Sequence, residues 1–282
     1  MFPRTDLAAE QHLRHKNTPS GVEVQEEISN GALVQVIRIT TRSGAEALGK
    51  PPGQYRTVTL PKEWHSDPDA AKPLIRTVAQ QLQALLPREG TVLVAGLGNR
   101  AITPDALGPF AAEQIAATRH LSRRFPELFA DLRPVCVVSP GVLGTTGLET
   151  AEILGGIIDK VRPACLLALD ALCAADSGRL CRTVQLCDTG ITPGEGTGTA
   201  RCQLDREGLG IPVIGLGIPT VTDVSTLVRE QTGQQAVEPG WLVSRSDIDF
   251  LVRQSAGLLA GAVNMALHPE LTARELALMT LA

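Results

Sequence analysis

The stretch VLVAGLGNRAITPDALGP, residues Val92 to Pro109, decides the fold of this chain. Its aliphatic run ends in Gly-Leu-Gly-Asn, which indicates a buried strand followed by a tight turn. Thr103 can then cap a helix, Pro104 suits the first helical position, and Asp105 falls in the first turn. Because the helix dipole favours negative charge at that end, the pattern predicts an ionised carboxylate at Asp105.

A second carboxylate follows another apolar run. Cys165 to Leu169 is an aliphatic stretch that leads directly into Asp170, where partial burial would favour the protonated form. Open α/β sheets place their sites at the carboxyl ends of parallel strands, so Asp105 and Asp170 are expected near each other. Two such carboxylates can share one proton, one activating water and the other protonating the substrate. Spacing alone leaves an alternative, in which Asp105 merely starts a helix and Asp170 occupies a turn.

The rest of the chain alternates apolar runs with helical segments. Strands are predicted at 32–39, 55–60, 91–96, 134–139, 164–169, 182–187 and 211–217. Helices are predicted at 67–86, 105–124, 147–161, 222–232 and through the last third, with a capping-box pattern at Ser246 and Asp249. This order predicts an α/β fold, a three-layer, mostly parallel sheet flanked by helices, with a small antiparallel β addition at 32–60 around a Gly/Pro turn region.

Length and composition set the class of protein. The chain has 282 residues, of which 43% are hydrophobic and 20% charged, as expected of a globular protein, and its 3% aromatic content predicts an aliphatic core. Residues 1–20 are polar and are expected to form a leader or possible propeptide, followed by a single domain at 21–282. A net charge of −4 disfavours direct nucleic-acid binding. No apolar run approaches the roughly 20 residues of a membrane span, and the N-terminus lacks a signal region, so a cytoplasmic protein without a membrane partner is expected.

Cysteine and histidine patterns predict neither a metal nor a cofactor. The six cysteines include no CxxC pair, and the five histidines include no HExxH motif. Reduced, mostly buried thiols are the simpler expectation for a cytosolic chain.

Two weaker motifs each have a simpler structural interpretation. Gly96, Gly98 and Ala101 fit a dinucleotide fingerprint, but the helix starts late and the next strand lacks the ribose-binding acid, which favours a tight turn. Asp188-Thr189-Gly190 matches the pepsin-type motif in a single copy, for which a turn is the simpler interpretation.

The hydroxyl groups at Ser139, Thr145 and Thr146 are possible nucleophiles, but no histidine is placed to activate them. The surrounding segment 140–150 is better interpreted as a Gly-rich loop whose backbone amides could bind a substrate carbonyl.

At these residues the sequence resembles the germination protease of spore-forming bacteria, also called spore protease. The motifs run in order along nearly the whole chain: RTDLAAEQ (4–11), VLVAGLGNRAITPDALGP (92–109), PGVLGTTGLET (140–150), ALDALCA (168–174), CDTGITPGEGTG (187–198), GIPVIGLGIPTVTD (210–223) and IDFLVRQSAGLLAGAVNMALHP (248–269).

The resemblance implies an atypical aspartic endopeptidase that degrades small acid-soluble spore proteins at germination. The two aspartates of the family fall on Asp105 and Asp170, which we assign as base and acid respectively, and Asp188 is a secondary candidate. The resemblance also implies a self-processing zymogen cleaved between Asp6 and Leu7, a homotetramer, a location in the spore core, and a fold similar to hydrogenase-maturation proteases.

Two loops, 96–103 and 140–147, are expected to hold the substrate backbone, with Asn99, Thr145 and Thr146 as candidate substrate-binding residues. At 100–102 the chain has Arg-Ala-Ile where the family tends to have Trp-Asn-Val, and a basic side chain there could alter the pKa of the catalytic acid or the substrate preference. Two rival hypotheses are a maturation-type protease of the same fold, directed by a metal in its substrate, and a non-catalytic module that binds spore proteins.

Overall fold

The computed structural model describes residues 4–196, 198, 201–234 and 240–280, and these form a mixed sheet with helices on its faces. The strands are β1 Val22–Ser29, β2 Ala32–Ile39, β3 Gly53–Thr59, β4 Val92–Gly96, β5 Val135–Val138, β6 Cys165–Ala174, β7 Thr183–Cys187, β8 Val213–Asp223 and β9 Leu242–Val243. The helices are α1 Ala8–Leu13, α2 Arg42–Leu48, α3 Pro68–Gln83, α4 Leu107–Ala112, α5 Arg119–Arg124, α6 Pro126–Phe129, α7 Leu143–Thr146, α8 Thr150–Val161, α9 Arg206–Leu209, α10 Val224–Thr232, α11 Ile248–Leu267 and α12 Ala273–Thr280. Short 3₁₀ turns lie at Thr103–Asp105 and Ser177–Arg179.

The predicted α/β fold is confirmed, and its parallel and antiparallel parts form one continuous sheet. The strand order is β1-β2-β3-β7-β8-β6-β4-β5, with β9 paired to β8. Strands β8, β6, β4 and β5 are parallel neighbours, whereas β1, β2, β3 and β7 pair antiparallel and continue the sheet from β8. The antiparallel addition is larger than predicted, because the sequence gives little sign of β1. That strand, VEVQEEIS, is mostly exposed and rich in glutamate.

Strand β6 corrects the expectation that the apolar run ends at Asp170. It continues through Ala174, with Asp170 paired to Gly217 of β8, and the side chain of Asp170 is only 5% exposed. The following residues, ALCA, are apolar and extend the buried strand. Asp170 therefore lies inside the sheet.

Three local predictions were wrong. The helix expected at 105–124 is divided between the 3₁₀ turn at Thr103–Asp105, α4 and α5. The predicted Gly/Pro turn region contains α2, whose N-terminus is capped by the Thr41 hydroxyl accepting from the Gly44 N–H. The Ser246–Asp249 capping box does not form, because the N-cap of α11 is Asp247, which makes no side-chain cap bond.

Aliphatic side chains hold the helices to both faces of the sheet. One cluster joins α3, α4 and α11 to the sheet, and a second packs α8 against the opposite face through Leu154 and Ile158. Helix α11 is long and apolar enough to span a membrane by length and composition, with a mean hydropathy of 1.2, but 67% of that window is buried. It packs as the central helix of the first cluster, which accounts for its composition.

The segment just after Asp6 is part of this packed structure. Leu7, Ala8, Ala9 and Glu10 are all buried. The Glu10 carboxylate accepts a hydrogen bond from the Ala175 N–H at 2.7 Å, and the hydroxyl of Thr5 also donates to it. Although it lies within the stretch predicted as a leader, Glu10 is therefore hydrogen-bonded to Ala175, the residue that follows β6.

Candidate active site

The loop after β4 holds the Asp105 carboxylate by backbone contacts. The Asn99 N–H donates to Asp105 Oδ2 at 2.6 Å, and the Asn99 side-chain oxygen accepts from the Ala101 N–H at 3.0 Å, which closes the loop. Gly98 has a φ of +110° and lies so close to Asp105 that any Cβ would collide with the Asp105 carbonyl oxygen. Glycine at this position therefore serves the close approach of the loop to the acid.

The electrostatic expectation for Asp105 has to be corrected. Burial raises the pKa of Asp105 above its usual value, and the hydrogen bond from the Asn99 N–H offsets this only in part. A regular helix does not begin until Leu107, so Asp105 belongs to a three-residue 3₁₀ turn with little dipole to favour its charge. Desolvation is the larger effect.

Asp170 is more deeply buried, and its surroundings favour the protonated form. Burial raises its pKa well above the usual value, and the negative charges of Asp105 and Asp6 raise it further. The opposing contribution is the hydrogen bond from the Ala171 N–H to Asp170 Oδ1, at 2.9 Å. The two carboxyl groups therefore differ in proton affinity in the direction expected of a pair that shares a proton.

Both carboxyl groups line one cleft of about 580 Å³. One wall is the Asp105 loop with Asn99, a second is the start of the 140–147 loop, and a third is β9 with its neighbours. The residues contributed by the last two walls are Gly141, Val142, Leu143, Gly240, Leu242, Val243 and Ser244. Asp105, Asp170 and Asn99 all line this cleft.

A smaller chamber of about 140 Å³ adjoins the cleft at Asp170 and contains Asp6. The Asp6 carboxylate accepts from the Cys173 N–H at 2.7 Å and also from the Gly196 N–H. Burial raises its pKa from 3.8 to about 6, while these hydrogen bonds and the positive charge of Lys50 act against the rise. The residue expected before the processing site is thus adjacent to one of the two predicted catalytic acids.

Other candidate residues lie away from the cleft lining. Asp188 is exposed, and its Oδ1 accepts from the Gln54 N–H at 2.7 Å at the end of the β3–β7 ladder. Thr145 and Thr146 are also exposed, and both hydroxyls donate to the Val142 carbonyl at 3.0 and 3.1 Å. Their side chains shape the turn, while the neighbouring backbone lines the cleft.

Arg100 does not act on the Asp105 carboxylate as expected. Its guanidinium forms a two-point ion pair with Glu113, at 2.6 and 3.1 Å, and lies over the ring of Phe110. The pKa of Asp105 is shifted by burial and by Asn99.

Sequence reasoning missed Gln185 and Gly196, which contact the N-terminal segment. Gln185 bonds to the backbone of Asp6 and Ala8, and Gly196 leaves room for the Asp6 carboxylate. Gly196 lies within the motif CDTGITPGEGTG, but no local pattern indicates that either residue contacts Asp6, because that partner is far away along the chain. Among the described residues, no group of three or more His, Cys, Asp or Glu side chains could hold a metal ion.

Comparisons with known proteins place this site in a family. A family model described as germination protease matches residues 4–234. A germination protease from Caldanaerobacter subterraneus subsp. tengcongensis is 36% identical over 312 residues, covering 97% of this chain and 96% of the relative. One from Clostridium perfringens (strain ATCC 13124) is 35% identical over 316 residues, covering 97% of each, and one from Bacillus cereus (strain G9842) is 38% identical over 239 residues, covering 80% of this chain and 65% of the relative.

Among solved structures, the NiFe hydrogenase maturation protease HycI from Thermococcus kodakarensis KOD1 matches with a TM-score of 0.36 and 18% identity. The match covers 65% of this chain and 98% of that one.

The relatives with similar sequences show that the protein is a peptidase. More particularly, the chain belongs to the germination protease family, since the family model spans most of its length.

Proposed function

We propose that this protein is a spore endopeptidase that hydrolyses peptide bonds with Asp105 and Asp170 as an atypical aspartic pair. The observation that carries the proposal is that both carboxyl groups line the same cleft, with the pKa of each raised by burial and that of Asp170 raised further by Asp105. Adjacent carboxyl groups that cannot easily both ionise are the arrangement that general acid and base catalysis of hydrolysis needs.

The surroundings of the two acids support distinct roles. Asp105, less deeply buried and stabilised by the Asn99 N–H, is the base that takes a proton from water as the water oxygen attacks the peptide carbonyl carbon. Asp170, held protonated, donates to the carbonyl oxygen, which gives a neutral tetrahedral intermediate. When the C–N bond breaks, the leaving nitrogen takes up the proton that Asp105 received, and one hydroxyl of the intermediate returns a proton to Asp170. The products are a carboxylic acid and an amine, and both acids regain their starting protonation.

The proposed substrates are small acid-soluble spore proteins, degraded at germination. Membership of the germination protease family supports this substrate. Asn99 and the backbone of Gly141–Leu143 are placed along the cleft wall where substrate main chain would lie. Thr145 and Thr146 would act only indirectly, by holding that loop.

We also propose a zymogen that removes its own first residues by cleavage between Asp6 and Leu7. The support is the position of Asp6, whose side chain occupies the chamber beside Asp170. The domain at 21–282 would carry the catalytic machinery, acting as a homotetramer in the cytoplasm of the spore core. These last two features rest on the family resemblance.

The test is to replace each acid by its uncharged isostere. Asp105→Asn and Asp170→Asn should each lower cleavage of a purified small acid-soluble spore protein by at least about 10³-fold, since each removes one half of the proton exchange. Products are followed by mass spectrometry, and circular dichroism checks that the variants are folded. Asp188→Asn, which alters an exposed acid, is the matched control and should cleave at the parent rate.

Near-parent activity in either folded cleft variant would remove that residue from the mechanism. A parent chain that binds the spore protein and leaves it intact would contradict the peptidase assignment of this cleft and favour a binding module.

A further inference from the structure

The side chain of Gln185 binds main-chain atoms of the N-terminal segment. This side chain on β7 is 7% exposed, and its Nε2–H donates to the Asp6 carbonyl at 2.8 Å while its Oε1 accepts from the Ala8 N–H at 2.6 Å. These are the carbonyl before Leu7 and the N–H after it, the two groups that a neighbouring parallel strand would bind. The side-chain amide therefore takes the place of a paired strand.

The rest of the segment is fixed around the same peptide bond. The Asp6 N–H donates to the Cys173 carbonyl at 3.0 Å, and the Cys173 N–H donates to the Asp6 carboxylate. Gln185, Asp6 and Asp170 all line the small chamber. The carbonyl oxygen that Gln185 contacts belongs to the Asp6–Leu7 peptide, so an N–H donor already lies on the oxygen that would gain negative charge when water attacks there.

We propose that Gln185 is a further catalytic residue of this peptidase and acts as a clamp on the cleaved bond. Its Nε2–H polarises the carbonyl of that bond, which belongs to Asp6, and its Oε1 fixes the main-chain N–H of Ala8. In self-processing, water adds its oxygen to the Asp6 carbonyl carbon, the bond to the Leu7 nitrogen breaks, and that nitrogen leaves protonated. Gln185 is unchanged by the step and stabilises the oxygen during it. The clamp touches only main-chain atoms, so it would act on any extended segment. This inference rests on the proposed function.

Two substitutions distinguish the hydrogen bond that Gln185 donates to the Asp6 carbonyl from the one it accepts from the Ala8 N–H. Gln185→Met keeps the length of the side chain and removes both the donor and the acceptor. Ala8→Pro removes only the N–H at the first residue of α1, a position that tolerates proline, and Leu7 already has the extended conformation that proline requires before it (φ −83°, ψ 119°). Gln35→Met is the matched control, since Gln35 is a buried glutamine of β2 that bonds to Glu26.

The measurement is the rate at which the full chain loses residues 1–6, followed by intact mass, alongside the thermal midpoint of each variant. Gln185→Met should slow the release by about 10²–10³-fold, the usual effect of losing an oxyanion donor, with a midpoint within a few degrees of the parent. Ala8→Pro should slow it by about tenfold, and the double variant should be no slower than Gln185→Met alone, because both act on one clamp. Gln35→Met should release at the parent rate.

The clamp would be refuted if folded Gln185→Met released residues 1–6 at a rate within about threefold of the parent rate. It would also be refuted if the rate losses of Gln185→Met and Ala8→Pro were fully additive in the double variant. If Gln185→Met does not fold, Ala8→Pro decides, and a parent-like rate for it refutes the inference. A parent chain that cleaves spore protein but keeps residues 1–6 also refutes it. If Asp105→Asn and Asp170→Asn are inactive but Gln185→Met is active, only the inference about Gln185 is refuted. If Asp105→Asn and Asp170→Asn are active, the proposed two-aspartate mechanism is refuted.

Discussion

Replacing Asp6 by asparagine should make the protein more stable at neutral pH and remove part of its pH dependence. The Asp6 carboxyl lies in the chamber beside Asp170, and burial raises its pKa from 3.8 to about 6 despite hydrogen bonds from Cys173 and Gly196. The folded chain therefore binds this proton more tightly than the unfolded chain does. The contribution of Asp6 to the free energy of unfolding is fully present below the unfolded pKa of 3.8. It decreases as the pH rises and is lost above about pH 6.

The size of the effect follows from the shift. A rise of about 2 pKa units corresponds to about 3 kcal/mol, at about 1.4 kcal/mol for each unit. Asparagine has the shape of the protonated acid, and its oxygen can still accept from the Cys173 N–H. We therefore expect Asp6→Asn to match the parent near pH ~4 and to exceed its free energy of unfolding by up to about 3 kcal/mol near pH ~7.

Urea unfolding at about four pH values across this window gives the free energy of unfolding of each chain, with intact mass confirming that residues 1–6 are still attached. The quantity to compare is the difference between variant and parent, which also includes the change at Asp170 when the charge of Asp6 is removed. Asp131→Asn, at an exposed position, is the control. A difference for Asp6→Asn that stays constant to within about 0.5 kcal/mol across the window would refute the argument from burial.

Gly108→Ala should destabilise the protein by about 3 kcal/mol in urea unfolding, because the added Cβ would lie 2.5 Å from the Leu169 carbonyl oxygen, whereas Gly155→Ala, whose Cβ meets nothing within 4 Å, should be near neutral. Equal stabilities for the two variants would refute the close-packing argument. The pH profile of kcat/KM should have an acid limb above 3.8, since the base must be ionised and burial raises the pKa of Asp105, and an alkaline limb where Asp170 loses its proton. An acid limb at or below 3.8 would exclude Asp105 as the base.

The parts of the site that sequence could predict are those encoded by neighbouring residues. An aliphatic run followed by Gly-Leu-Gly-Asn marks β4 and its turn, and a second run marks the start of β6, so the two acids could be expected at one place. A prediction that rests on a single local pattern is less secure, and the predicted end of β6 at Asp170 is an example. Apolar residues lie on both sides of Asp170 and continue a buried strand, whereas a single charged residue after an apolar run predicts the end of that strand.

The contacts that sequence could not predict join distant parts of the chain. Gln185 meets Asp6 and Ala8 across 179 and 177 residues, and its own strand, TVQLC, looks like any buried strand with one polar residue. The amide acquires its role only when the strand order of the whole sheet places β7 next to β8, whose other neighbour is β6. Asp6 likewise becomes partly buried only once the N-terminal segment has packed against Cys173.

The extension of β6 past Asp170 links the two halves of the site. Strand β4 pairs with β6 only as far as Leu169, so beyond that point Cys173 bonds to Asp6 of the N-terminal segment instead. Asp170 and Cys173 are three residues apart on one strand, so their Cα atoms lie roughly 10 Å apart, while the side chains of Asp170 and Asp6 line the same chamber. The register between β6 and β8 shifts between Leu172 and Cys173, and such an irregularity turns the strand locally. One strand therefore supplies Asp170 and, past the irregularity, the main-chain partner of Asp6.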